Sequence, residues 1–192
     1  FIILTLACAI ITMCNVLATH TITPSYFPYR SLTRYLDGYA YSAIANNLAH
    51  GLGSLFSPQY GLCRFKEFYD HPALGLIIQS LFFRLFGDHW YSIHIMCAIN
   101  YFITLLLIAI LWKHQHQVFN PKLVWLPLLL WHTMPFNLIG YTANYLEPLA
   151  ATFSFLAVVI LIYSYQYKTI LSFKTIRALC LASLCLLIAL LI

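Results

Sequence analysis

The chain has 192 residues, 62% of them hydrophobic and only 8% charged, with a mean hydropathy of +0.82. Soluble domains carry about 25% charged residues, so this composition excludes an ordinary soluble domain and reads as an all-α, polytopic integral membrane protein. The formal charge of +5 comes from scattered cations with no basic stripe, which argues against nucleic acid as a partner.

In chain order, the first element is "FIILTLACAIITMCNVLA". It has no basic leader and no small-residue cleavage pattern, so it reads as a first spanning helix over residues 1–19 and not as a signal peptide. With no initiator Met and an apolar run at its end, the sequence is expected to be the N-terminal part of a longer protein, with residues 1–192 forming one transmembrane unit.

A long polar loop, about residues 20–90, comes next. A loop of that length in a compact protein is usually functional. Within it, "LTRYLDGYAYSAIANNLAHGLGS" predicts a helix over about 37–50. Tyr41, Ile44, Ala45 and Leu48 follow Asp37 at amphipathic spacing. Ser42, Asn46, Asn47 and His50 take the other side, and Gly51 and Gly53 stop the helix. Such a helix is expected to lie flat at an interface, apolar face down. The plain role of Asp37 is an N-cap. A carboxylate at a water–lipid boundary is also placed to accept a proton from an alcohol, and the two roles coexist.

The same loop contains "FKEFYDHPALG", where Lys66, Glu67, Asp70 and His71 precede Pro72. Proline suits the first turn of a helix, and a helix N-terminus is a ready anion site. His71 is the candidate phosphate holder, with Arg64, Lys66 and Arg84 as helpers. The plain alternative is a solvated loop in which Asp70 caps the helix. The helix itself, about 72–87, is interrupted by Gln79 and Arg84 and reaches roughly 24 Å, short of a ~30 Å hydrocarbon core. It is expected to be interfacial or re-entrant.

Further spans are expected at about 91–112, 123–140 and 149–165, with another beginning near Ile176. If 72–87 does not cross, Lys113, Lys122, Lys168, Lys174 and Arg177 share one side with no acid. Asp37, Glu67, Asp70, Asp88 and Glu147, the five acids of the chain, share the other. The positive-inside rule makes the basic side cytoplasmic. Glu147, just before Pro148 at the mouth of a span, is a functional candidate because acids at a membrane boundary are costly. Its plain role is a favourable charge at a helix N-terminus.

His114 and His116 read as solvated surface, and His132 as a packed, hydrogen-bonded histidine. Cys8, Cys14, Cys97, Cys180 and Cys185 fall in apolar segments and Cys63 in a loop. That pattern points to neither a disulfide framework nor a zinc site.

Three of these stretches, in register, resemble the membrane-embedded glycosyltransferases of the GT-C class. The likeness is closest to the bacterial aminoarabinose transferase and protein mannosyltransferase-like group. "YLDGYAYSAIANNLAHGLGSLFSPQYG" looks like the family's juxtamembrane helix headed by a catalytic aspartate, here Asp37. "FYDHPALGLIIQSLFFRLFG" looks like its "HPPLG…LFG" segment, and "GYTANYLEPLAATFSFLA" like its second outer loop. The chain departs from the family in having Gly38 where many relatives have glutamate, and Ala73 in place of a second proline. Asp70-His71-Pro72 is more similar to the mannosyltransferase-like and hexose-transferring members than to the aminoarabinose branch.

The resemblance implies the N-terminal part of a GT-C-like fold in the bacterial inner membrane, with its site facing the periplasm. It implies transfer of a sugar from a polyprenyl-phosphate carrier to a glycolipid, glycan or protein acceptor. Asp37 would be the base and Glu147 would position the acceptor. Asp70, His71, Arg64, Lys66, Arg84 and Tyr41 would bind substrate. Any metal would be Mg²⁺ or Mn²⁺, which suit oxygen ligands, though many relatives need none. The competing expectations are a non-catalytic multi-spanning protein, such as a transporter or assembly subunit, and an inactive paralogue.

Overall fold

The computed structural model describes residue 10 and residues 36–54, 57–58, 73–115, 120–134, 140–141, 146–165 and 173–192. The span expected over 1–19 lies outside the described residues, apart from Ile10, and so does residue 116.

Six helices stand among the described residues: α1 (Leu36–Ala49), α2 (Ala73–Phe86), α3 (Trp90–His114), α4 (Trp125–Thr133), α5 (Glu147–Tyr165) and α6 (Phe173–Leu190). A two-residue hairpin pairs β1 (Gly53–Ser54) with β2 (Ser57–Pro58), Gly53 opposite Pro58. The segments Tyr91–His114, Glu147–Ser164 and Phe173–Leu190 are each long and apolar enough to cross a membrane.

The helix ends follow from local chemistry. Gly51 adopts a left-handed φ of 76°, and the amides of Gly51 and Leu52 donate to the carbonyls of Leu48 and Asn47. This is the paired closure of a Schellman end, which favours glycine at that position. Gly87, with φ 78°, closes α2 in the same left-handed region. Its amide donates to Phe83, and the Ser92 hydroxyl donates back to the Gly87 carbonyl at 2.7 Å. α3 therefore starts after a turn of only three residues.

α4 is shorter than expected. The apolar pattern predicts one span over 123–140, yet the helix runs only from Trp125 to Thr133. Met134 is extended, with φ −67° and ψ 118°, as sterics demand of a residue before proline, here Pro135. Nine residues reach about 13 Å, too short to cross a bilayer core. Pro127 falls in the first turn, where a missing amide costs no intrahelical bond.

α3 and α5 run parallel. Thr104 of α3 meets Thr152 of α5, and toward the far end His114 stacks on Tyr163, ring centroids 4.6 Å apart. α4 returns between them. Tyr101, Leu105 and Ala109 of α3 pack with Leu128 and Tyr141. The Trp131 ring meets Phe155 edge-on at 5.3 Å. α5 and α6 form the most extensive helix pair, antiparallel, along Ala157, Ala182 and Cys185. Small residues let two backbones approach closely, which matters where packing and not water exclusion drives association.

This topology separates the charges. Glu147 and the head of α1, which carries Asp37, meet at one packed cluster, and Asp88 stands at the tail of α1 through His50, all toward one end of the molecule. Lys113, Lys122 and Lys174 lie at the other. The two ends are called acidic and basic below.

Candidate functional site

The acidic end gathers four pieces of chain into one packed cluster. Tyr41, Ile44 and Leu48 of α1 meet Leu76 of α2, Leu146 and Leu149 at the head of α5, and Ile192 after α6. A glycine allows a close approach. A Cβ on Gly75 would stand 2.9 Å from Leu146 Cδ2, nearer than real Cβ contacts come, and 3.1 Å from Ile192 Cγ2, tighter than most. Gly140 is close to Pro148 in the same way, at 2.8 Å. The backbone adds a link, because the Leu74 amide in the first turn of α2 donates to the Leu191 carbonyl at 3.2 Å.

α1 is more deeply enclosed than an interfacial helix lying flat. The expected apolar face, Tyr41, Ile44, Ala45 and Leu48, is buried, but so are Ser42 and Asn46 on the expected polar face. Ala45 packs with Phe83 of α2 and with Ile93, Met96 and Cys97 of α3, which leaves little of the helix to solvent. The Ser42 hydroxyl is satisfied internally, donating to the Gly38 carbonyl at 2.7 Å.

Of the sequence-derived site residues, Asp37 is the second residue of α1, one turn before Tyr41; its side chain lies outside the described residues. Glu147 opens α5 and is exposed. Tyr41 is 3% exposed and belongs to the packed cluster, so its ring is a core contact at this position. Arg84 reaches neither the head of α2 nor Glu147. Its Nε and Nη2 donate to the carbonyls of Ala49 and Leu48 at 3.2 and 3.1 Å. It caps the C-terminus of α1, where a cation complements both carbonyls and helix dipole. Arg64, Lys66, Asp70 and His71 lie outside the described residues, as do Glu67 and Cys63.

The head of α2 offers less to an anion than the sequence suggests. The Leu74 amide is taken by Leu191, and Leu146 and Ile192 crowd Gly75. A hydrogen already donated to a carbonyl is not available to a phosphate. Any anion held near this helix would depend on the side chains preceding it in the chain.

One polar network was not foreseen. The Tyr141 hydroxyl donates to Thr104 Oγ1 at 2.9 Å. Thr104 Oγ1 lies 2.6 Å from Thr152 Oγ1, and Thr152 donates to the Pro148 carbonyl at 2.9 Å. The chain of hydroxyls ties α3 to the first turn of α5, next to Glu147. Its sequence signal is hydroxyl residues inside otherwise apolar spans, which bond between helices. The neighbouring Tyr101 hydroxyl bonds His132 Nδ1, so His132 is a packed, hydrogen-bonded histidine as read from the sequence.

Among the described residues no cluster of three or more His, Cys, Asp or Glu side chains is gathered to hold a metal. Cys97, Cys180 and Cys185 are free thiols.

The fold and this cluster define a helical protein with three membrane-length helices and a packed acidic end. No known family model, curated protein or solved structure matches the chain.

Proposed function

We propose that this chain belongs to a multi-pass glycosyltransferase of the GT-C kind, set in a bacterial inner membrane with its acidic end toward the periplasm. One observation carries the reading. The heads of α1, α2 and α5, far apart in the chain, converge on one cluster. These are the three elements that bear or directly follow Asp37, His71 and Glu147.

In this proposal the Asp37 carboxylate accepts the proton of an acceptor hydroxyl. The hydroxyl oxygen attacks the anomeric carbon of a polyprenyl-phosphate sugar. The bond from that carbon to the phosphate oxygen breaks through an oxocarbenium-like state, and polyprenyl phosphate leaves with the electron pair. Configuration inverts. His71, Arg64 and Lys66 offset the charge on the departing phosphate. Glu147 orients the acceptor, or ligates Mg²⁺ or Mn²⁺ where a metal is used. Tyr41 and Arg84 act one step back, as a core contact and a cap that hold α1.

The test is turnover of a radiolabelled polyprenyl-phosphate sugar in membranes bearing the complete protein, beside Asp37→Asn. A base contributes typically 10²–10⁴-fold, so the variant should lose at least 100-fold with insertion unchanged. Absence of turnover with every common donor, from correctly inserted protein, favours the non-catalytic reading.

A further inference from the structure

The polarity of α2 is inverted. Its buried side carries Gln79 at 0% and Ser80 at 4% exposure, together with Gly75, Leu76 and Phe83. The outward side carries Leu81 at 47% and Leu85 at 75% exposure. A helix at a protein–water boundary does the reverse, with its apolar stripe inward and polar residues out. Ile77, one turn before Leu81 and half-buried, continues the outward side, whereas Ile78 packs inward on the core.

The one charged residue on that side turns back toward the protein. Arg84 is exposed, yet its Nε and Nη2 turn back to the Ala49 and Leu48 carbonyls. Polar groups next to hydrocarbon must find such internal partners. The water-facing pair stands beyond the end of the helix, where His50 Nε2 meets Asp88 Oδ2 at 3.1 Å, both about half exposed. The helix that follows α2 in the chain is itself of membrane length. After the turn at Gly87, α3 presents Ile99, Ile103 and Leu106 outward, within the segment Tyr91–His114.

We infer that the outward face of α2, centred on Leu81 and Leu85, lies in contact with lipid acyl chains in the leaflet at the acidic end. α2 is thus a leaflet-embedded helix and not a helix resting above the membrane. Its partner on that face is hydrocarbon, while its polar residues face the protein. This goes beyond the glycosyl-transfer proposal and does not depend on it.

The experiment places an environment-sensitive fluorophore on Leu85→Cys in a cysteine-free background of the full chain, reconstituted in phosphatidylcholine–phosphatidylglycerol vesicles. Matched probes at Leu106→Cys and Asp88→Cys serve as the hydrocarbon and water references. The expected result is quenching by acyl-chain doxyl lipids within about twofold of position 106, and iodide quenching several-fold below position 88. Iodide quenching equal to position 88 would place the face in water and overturn the inference. Protection from both quenchers would also overturn it, because protein, either a second copy or further chain, would then cover the stripe. A Leu85→Trp variant that keeps the native cysteines, read by brominated-lipid quenching above the wild-type background, decides the matter if the cysteine-free protein does not fold.

Discussion

The acidic end and the α5–α6 pair are held together in different ways. At the acidic end, α1, α2, the head of α5 and the tail of α6 meet through one glycine contact, one backbone bond and one arginine cap. Each of these fixes a position, because each depends on a particular atom being in a particular place. The α5–α6 pair instead rests on Ala157, Ala182 and Cys185, with most of the outward face of α6 exposed, Leu184 and Leu187 included. Small-residue packing of that kind sets how close two helices come and tolerates changes on the outward side. One region is built to hold helix heads in register, and the other to fill a membrane-length layer. A site that must bring distant residues together belongs in the first.

The largest expected effect breaks the first region and spares the second. Gly75→Val places a branched side chain where even a Cβ stands 2.9 Å from Leu146. Overpacking costs about 1–3 kcal/mol, and the upper part of that range is expected, because Ile192 crowds the same spot from another helix. Thermal unfolding in detergent should fall accordingly. Hydrogen exchange should rise in α1 and the first turn of α2, with the middle of α5 and α6 unchanged. A rise confined to α5–α6 would erase the distinction between the two regions.

A smaller effect separates register from stability. Arg84→Met keeps the apolar stem and removes both donors from Leu48 and Ala49. Hydrogen bonds from charged groups contribute about 1.5–3 kcal/mol each way. The Leu48 carbonyl keeps the Gly51 amide, so a loss near 1.5 kcal/mol is expected. Amides near residues 50–52 should exchange faster while those of α3 do not. Uniform loosening of all helices would show that Arg84 supports the whole bundle and not the end of α1.

What the sequence could reveal divides along the same line. α3, α5 and α6 were legible because length and hydropathy alone define a membrane-length helix, and the real α6 begins three residues before the expected Ile176. α1 and α2 were legible as helices from their periodicity and their glycine stops. Their surroundings were not. The burial of Ser42 and Asn46 depends on which helix packs against the polar side of α1, and one helix's periodicity carries no record of its neighbour. Arg84 looked like a phosphate partner because it sits close in sequence to His71. In space it serves carbonyls 35 and 36 positions away. The truncation of α4 was readable in principle, since Pro135 restricts Met134, but an apolar run long enough to span masked it. Of the site, the convergence of three helix heads is visible in the structure, whereas the chemistry of the stretch before Pro72 rests on the sequence.

The smallest effect concerns the outer edge of the acidic end. His50 Nδ1 lies 2.9 Å from the Asn46 carbonyl, and Nε2 lies 3.1 Å from Asp88 Oδ2. Both partners are acceptors, one facing each ring nitrogen. The pair bridges the end of α1 to the α2–α3 turn, but its members are about half exposed, and exposed ion pairs contribute about 0.2–1 kcal/mol. Asp88→Asn should therefore lower stability by less than Arg84→Met does. The difference from wild type should shrink between 0.05 and 0.5 M salt, roughly as screening of an exposed pair requires. A loss equal to that of Arg84→Met and insensitive to salt would mean that the His50–Asp88 pair, and not the arginine cap, holds α1 against α2, so the fixing contacts would lie at the water-facing rim instead of inside the cluster.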